Sequence, residues 1–299
     1  MRFFNKILFL LAFLSFGLIA PGLTLTTAYS AELQGIKKVD AEFVKPPVKD
    51  KPLLILVLHG LGRTAENTQK WAEKKFPKKT KSGSSVIVKA LDYEKVGLQT
   101  FEQKILHILG KIEQTKDNEL KMKIVQEEEA KLLPELRLLI AANMDKITAE
   151  FDGIPLQNII VVGYSLGGLI GSVLIEVIGN GKDGQVQSLL TSMAPPVGFI
   201  NCAFGISDSK DEVTEKTLFP WIMHCEMGEK DPIFVNGALK MEHCFNVFHQ
   251  LTENSKKHFT NDKHKGEHKT SKSFMSKVLK ALEIASLRQL GKDAPISVQ

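Results

Sequence analysis

The run Gly163-Tyr164-Ser165-Leu166-Gly167-Gly168 is the part of this sequence best suited to covalent chemistry. A serine hydroxyl becomes a nucleophile when a base takes its proton and positioned donors receive the charge that develops on the substrate. Small residues two before and two after it, here Gly163 and Gly167, let the backbone turn sharply from strand to helix and leave the hydroxyl exposed. The flanks suit such a turn. Ile159-Ile-Val-Val162 is a short apolar run that reads as a buried strand, and Ser165 to Ile178 reads as a helix. Ser165 would then stand at a helix N-terminus, where backbone N–H groups and the helix dipole favour negative charge.

The elements that must position this turn alternate along the chain. Leu53-Leu-Ile-Leu-Val-Leu58 predicts a buried strand, followed by a helix over Thr64 to Phe76. A second apolar run, Val86 to Leu91, precedes helical patterns over 100–114 and 118–149, with Pro134 expected to start a second helical segment. Beyond the serine helix, strands are expected at Leu189–Met193, Phe219–Cys225 and, weakly, His258–Thr260. Residues 197–217 show no period and read as a loop or small cap, while helices are expected over Gly237–Leu251 and 272–288. The lead-in at 31–51 is expected to hold at most a short edge strand. Strands alternating with helices predict an α/β class with a mostly parallel sheet, whose ligands sit outside the carboxyl ends of the strands.

In these residues the sequence resembles the α/β-hydrolase superfamily of serine hydrolases, notably its small carboxylesterases, acyl-thioesterases and lipases. The resemblance runs from Leu53 to the last helix. It implies a catalytic acid and then a histidine downstream of the serine. Asp231, in Gly228-Glu-Lys-Asp-Pro232, matches the acid, with Asp208 as the alternative. His268, in Lys265-Gly-Glu-His, matches the base, with His264 as its rival; His243 and His249 fall inside an expected helix. The oxyanion hole would use the backbone N–H groups of Leu166 and of Leu61, the latter in His59-Gly60-Leu61-Gly62, with His59 bracing the loop. The implied function is hydrolysis of a small acyl ester, thioester or lipid through Ser165, His268 and Asp231, with no cofactor. An acyltransferase or peptidase on the same triad, and a catalytically silent hydrolase-like binding protein, are the alternatives. The helical stretch 115–150 departs from the smallest members and is expected to be an insertion.

Composition bounds the remaining readings. The 299 residues are 43% apolar and 24% charged, which excludes a disordered chain, and three cysteines (Cys202, Cys225, Cys244) are too few for a disulfide framework. A net charge of +5 is too mild for a nucleic-acid footprint. His224-Cys225 and His243-Cys244 suggest zinc, yet neighbours on a strand point to opposite faces, so no metal site is expected. Lys263, Lys265, Lys269 and Lys272 surround His268 and leave open attraction to anionic substrates or a transient membrane contact. Oligomeric state is not legible.

Arg2 and Lys6 precede the apolar block Ile7–Ala20, and small residues follow through Ala28-Tyr29-Ser30-Ala31. That is the pattern of a secretory signal peptide over residues 1–30, its apolar block alone too short to span a bilayer. It implies one hydrolase domain over 31–299 acting outside the cytoplasm, secreted or periplasmic. Without residues 1–30 the net charge falls from +5 to +3, since the segment holds two basic residues and no acidic one. N-terminal sequencing of the exported chain is expected to read Ala31 or Glu32 first; Met1 would overturn the cleavage.

Overall fold

The computed structural model describes residues 38–180, 198–202, 218–229, 251–265 and 270–298. Their architecture is mixed α/β around a six-stranded parallel sheet in the order β3-β2-β4-β5-β7-β8. In chain order the elements are β1 (Glu42–Phe43), β2 (Leu53–Leu58), α1 (Ala65–Lys75), β3 (Val86–Ala90), α2 (Gln99–Gln114), α3 (Asn118–Ala142) and α4 (Met144–Ala149). Then follow β4 (Ile159–Tyr164), α5 (Leu166–Asn180), β5 (Gly198–Cys202), β6 (Leu218–Phe219), β7 (Ile222–Gly228), α6 (Glu253–Lys256), β8 (Phe259–His264) and α7 (Phe274–Gln289).

The unbroken apolar run of β2 is explained by helices on both faces of the sheet. Alternate side chains of a strand point oppositely, so Leu54, Leu56 and Leu58 join one core with Phe101, Ile105, Leu136, Ile140 and Val173. Leu53, Ile55 and Val57 join the other, with Ala72, Phe76, Val278, Leu282 and Ala285. From β2 the chain moves to β3 on one side and then to β4 on the other. The carboxyl ends of β2 and β4 therefore flank the topological switch point, where open α/β sheets leave a crevice.

Four sequence expectations need correction. The segment read as loop or cap begins with a strand, β5, in register with both β4 and β7; the strand expected at Leu189–Met193 lies outside the described residues. Phe219–Cys225 is not one strand. Pro220 has no N–H to give to a ladder, and the chain leaves a two-stranded sheet (β6 with β1) before Ile222 enters the main one. Pro134 does not divide the helical stretch 118–149. It lies on the exposed side of α3, while Leu132, Leu136 and Ile140, one face at four-residue spacing, are buried and hold the helix together. The break comes at Asn143, whose side-chain Nδ2 donates to the Leu139 carbonyl (2.9 Å) and competes with helix propagation. Finally, the weak strand at 258–260 continues to His264 as β8, an edge strand whose outer half is polar: Asn261, Asp262, Lys263 and His264.

Polar contacts, in part buried, join β7 and β8 to each other, to α7 and to the segment that leads into it. Glu226 accepts hydrogen bonds from the backbone N–H and the hydroxyl of Ser271 (both 2.7 Å). Asp262 pairs with Lys277 (2.8 Å). The His224 ring meets the Thr260 hydroxyl through Nδ1 (2.7 Å). At the opposite end of the sheet the lead-in is tied down by residues from much later in the chain. Phe43 stacks on His258 (3.8 Å between ring centres), and Arg288 lies over Trp221 and donates to the Val44 carbonyl. Gln289 donates to the carbonyls of Val48 and Lys51.

Burial holds the His224 imidazole down to about 4 from its ordinary 6.5, although the Asp262 charge pulls the other way. The unfolded chain therefore takes up a proton at this residue below about pH 6.5, which the folded protein refuses until about pH 4. Stability is lost as pH falls through that window, by at most ~1.4 kcal/mol per pH unit from this group. His59 and His258 are also lowered by burial and act in the same sense. Urea unfolding of His224→Gln is expected to show a shallower loss between pH 6.5 and 4 than the parent; equal slopes would refute the assignment.

Candidate functional site

The turn between β4 and α5 is built around one strained residue. Ser165 has φ +53°, the left-handed region that a non-glycine residue enters only when its surroundings hold it there. Its carbonyl accepts from the N–H groups of Gly168 (2.8 Å) and Leu169 (3.2 Å), which starts α5 immediately. At the carboxyl end of a central strand, Ser165 is buried, 4% exposed, where the turn alone predicts an exposed hydroxyl.

The glycines around it are required by close approach. A Cβ on Gly163 would stand 2.6 Å from the Gly167 carbonyl oxygen and 2.7 Å from the Gly168 Cα. One on Gly167 would overlap the Leu58 carbonyl and come within 2.8 Å of the His59 oxygen. One on Gly60 would press to 2.9 Å from the Tyr164 ring. Two motifs separated by about a hundred residues thus touch, backbone against backbone: the end of β2 with His59–Gly62, and the Ser165 turn.

The His59–Gly62 loop is also held from its other side. His59 is buried, its ring lies against Tyr93 (4.0 Å between centres), and its Nδ1–H donates to the Gly60 carbonyl (3.1 Å). Burial lowers the affinity of this imidazole for a proton and so favours the neutral ring. The Tyr93 hydroxyl donates to the His59 carbonyl (2.8 Å), and the Gly62 N–H donates to a Glu102 carboxylate oxygen (3.3 Å). The Leu61 N–H makes no hydrogen bond among the described residues. The Leu166 N–H opens a helix, where no carbonyl of that helix lies in reach. The guanidinium of Arg63 lies 5.8 Å from the centre of the Tyr164 ring, on the rim beside the serine.

Of the residues singled out in the sequence, Gly163, Ser165, Leu166 and Gly167 share one turn, and the His59–Gly62 loop that carries Leu61 packs against it. Asp231, His268 and the alternative acid Asp208 lie outside the described residues, as do His243 and His249. His264, the rival base, is the last residue of β8, three strands from β4. Its carbonyl accepts from the Glu229 N–H (2.8 Å), and its buried Nε2 finds no partner among the described residues. His224 and Cys225 face opposite sides of β7, the first toward Thr260 and the second in the core shared with α2, α3 and α5. Among the described residues no group of three or more His, Cys, Asp or Glu could hold a metal ion. The sequence reading missed Tyr93 and Glu102, whose relevance comes only from the turn after β3 and the helix α2 that carry them. No protein-family model matches the chain, and no curated protein matches it.

The close packing yields a test that needs no activity. Gly167→Ala is expected to lower unfolding free energy in urea by ~1–3 kcal/mol, since the added methyl meets rigid backbone. Gly110→Ala, in α2 with open space around the new carbon, is expected to be neutral or to gain ~0.5–1 kcal/mol. Equal effects at the two sites would contradict the contact between Gly167 and the end of β2.

Proposed function

We propose that the protein is a serine hydrolase with the α/β-hydrolase fold, cleaving carboxylic esters or thioesters with Ser165 as nucleophile. The observation that carries this reading is the left-handed Ser165 at a glycine-lined turn, packed against a loop that offers a second backbone amide at the sheet's switch point. Such a turn is costly, and its use is to present a hydroxyl beside amide donors.

The acid and base follow from chain order. Asp231 comes three residues after the end of β7, and His268 four after the end of β8. Adjacent strands are about 4.8 Å apart, so the end of β7 stands ~10 Å from that of β4, and β8 ~14 Å. Extended segments of three and four residues reach about 10 and 13 Å. Segments of that length, with a side chain added, span distances of this order, which supports the assignment of Asp231 and His268.

In the reaction His268 takes the Ser165 proton as the hydroxyl oxygen attacks the acyl carbonyl. The carbonyl electrons move to oxygen, and that oxyanion is received by the Leu61 and Leu166 N–H groups. Asp231 orients His268 and stabilises its charged form. The tetrahedral intermediate collapses, the imidazolium returns the proton to the departing alkoxide or thiolate, and an acyl-enzyme remains. Water, deprotonated by His268, then releases the acid and restores Ser165. The leader pattern at 1–30, outside the described residues, supports action outside the cytoplasm. Among the described residues no helix is long and apolar enough to cross a membrane.

A fluorophosphonate probe is expected to label the purified protein at Ser165, with labelling lost in Ser165→Ala and His268→Ala and kept in His264→Ala. A folded wild-type chain that stays unlabelled would refute the reading. Loss in His264→Ala alone would move the base to that residue. Rates on esters of acyl length C2 to C16 would then separate esterase from lipase.

A further inference from the structure

A peptide unit is planar and trans, so fixing the direction of its carbonyl fixes the opposite direction of its N–H. Each of the three peptide units between His59 and Gly62 is fixed in this way. The His59–Gly60 unit is held by the Tyr93 hydroxyl on the His59 carbonyl (2.8 Å). In the Gly60–Leu61 unit the carbonyl accepts from the Arg63 N–H (3.2 Å) and the His59 ring (3.1 Å), which turns the Leu61 N–H the other way. The Leu61–Gly62 unit is held by Glu102, which accepts the Gly62 N–H. Two of the three units are held by side chains from elsewhere in the fold, Tyr93 and Glu102. A stretch with glycine on both sides of one leucine would otherwise rotate among several backbone states.

We infer that Tyr93 and Glu102 are positioning residues for the amide-donor loop: they fix the two peptide units flanking the one that carries the Leu61 N–H, and so keep that N–H ready for the developing oxyanion; the inference rests on the proposed serine-hydrolase reading. Neither touches the reacting atoms. Tyr93 is buried in the turn between β3 and α2, and its own carbonyl accepts the N–H groups of Leu98 (2.7 Å) and Gln99 (3.0 Å). The residue is therefore anchored at both ends, to the start of α2 through its backbone and to the loop through its hydroxyl. Burial, and then the Glu102 charge, push its ionisation well above the ordinary phenol value, so the hydroxyl stays a donor. Glu102 lies in the first turn of the same α2 and is the weaker restraint, its bond being 3.3 Å long.

The test separates positioning from folding. Tyr93→Phe keeps the ring on His59 and removes only the hydroxyl. Its kcat on a short-chain ester, per folded molecule, is expected to fall about tenfold, less than the loss on deleting a whole oxyanion donor. Its affinity for phenylboronic acid, whose boron becomes a tetrahedral anion when the serine oxygen adds to it and its proton passes to the base, should fall by a similar factor while KM stays within about twofold. Glu102→Ala is expected to lose about threefold in both, and Glu102→Gln, whose amide oxygen still accepts the Gly62 N–H, to recover it. Unchanged kcat and boronate affinity in Tyr93→Phe and Glu102→Ala, with only the unfolding midpoint lowered, would overturn the inference and leave both residues structural. If Tyr93→Phe does not fold, the Glu102→Ala and Glu102→Gln pair decides alone. Wild-type protein that is folded but unreactive toward fluorophosphonate would instead mark failure of the hydrolase reading, and this inference with it.

Discussion

The arrangement depends on how closely two pieces of backbone approach: the start of α5, at Gly167, lies on the carbonyls that end β2. Everything at the proposed site is a consequence of that distance. It brings the turn at Ser165 beside the His59–Gly62 loop, and it can exist only where no Cβ intervenes. Left-handed backbone at Ser165 costs about 1–3 kcal/mol in isolation. Its cost is met by the packing of α5 into the core through Leu169, Ile170, Val173 and Leu174, all buried. The apolar side of the helix and the strained turn at its head are thus parts of one construction: the first stabilises what the second needs.

How much of this was legible in the sequence varied with how local the determinant is. The six apolar residues of β2 announce themselves, because a strand buried on both faces needs no alternation. Gly163, Ser165 and Gly167 are legible for a similar reason: their spacing encodes a turn that is decided within five residues. β5 is not legible. Gly198-Phe-Ile-Asn-Cys202 carries two large apolar residues among turn formers, and it is a strand because β4 and β7 offer it a ladder on each side. β8 was underestimated because its outer half is polar, as suits a sheet edge. The uninterrupted α3 shows the converse, tertiary packing of Leu132, Leu136 and Ile140 outweighing a local breaker.

The proposed site divides along the same line. Residues that must be small, or that must sit at a turn, carry a signature. Tyr93 and Glu102 carry none, since a phenol and a carboxylate are common and their meaning comes from which carbonyl and which N–H they meet. The switch point explains why they come from the turn after β3 and from α2. The strand beside β2 on its far side must end near the same crevice, so its following turn and helix are the natural source of supports for the β2 loop.

The ties at the other end of the sheet bear on how the chain assembles. Phe43 meets His258, and Val44 meets Arg288, across more than two hundred residues of sequence. Contacts so remote in sequence carry a large loop-closure entropy and form late unless something between them forms first. The beginning of the described chain is therefore late to find its place, because its partners are synthesised more than two hundred residues after it. A chain threaded amino end first through any pore would emerge with this segment waiting, and the structure closes only when α7 arrives to receive it.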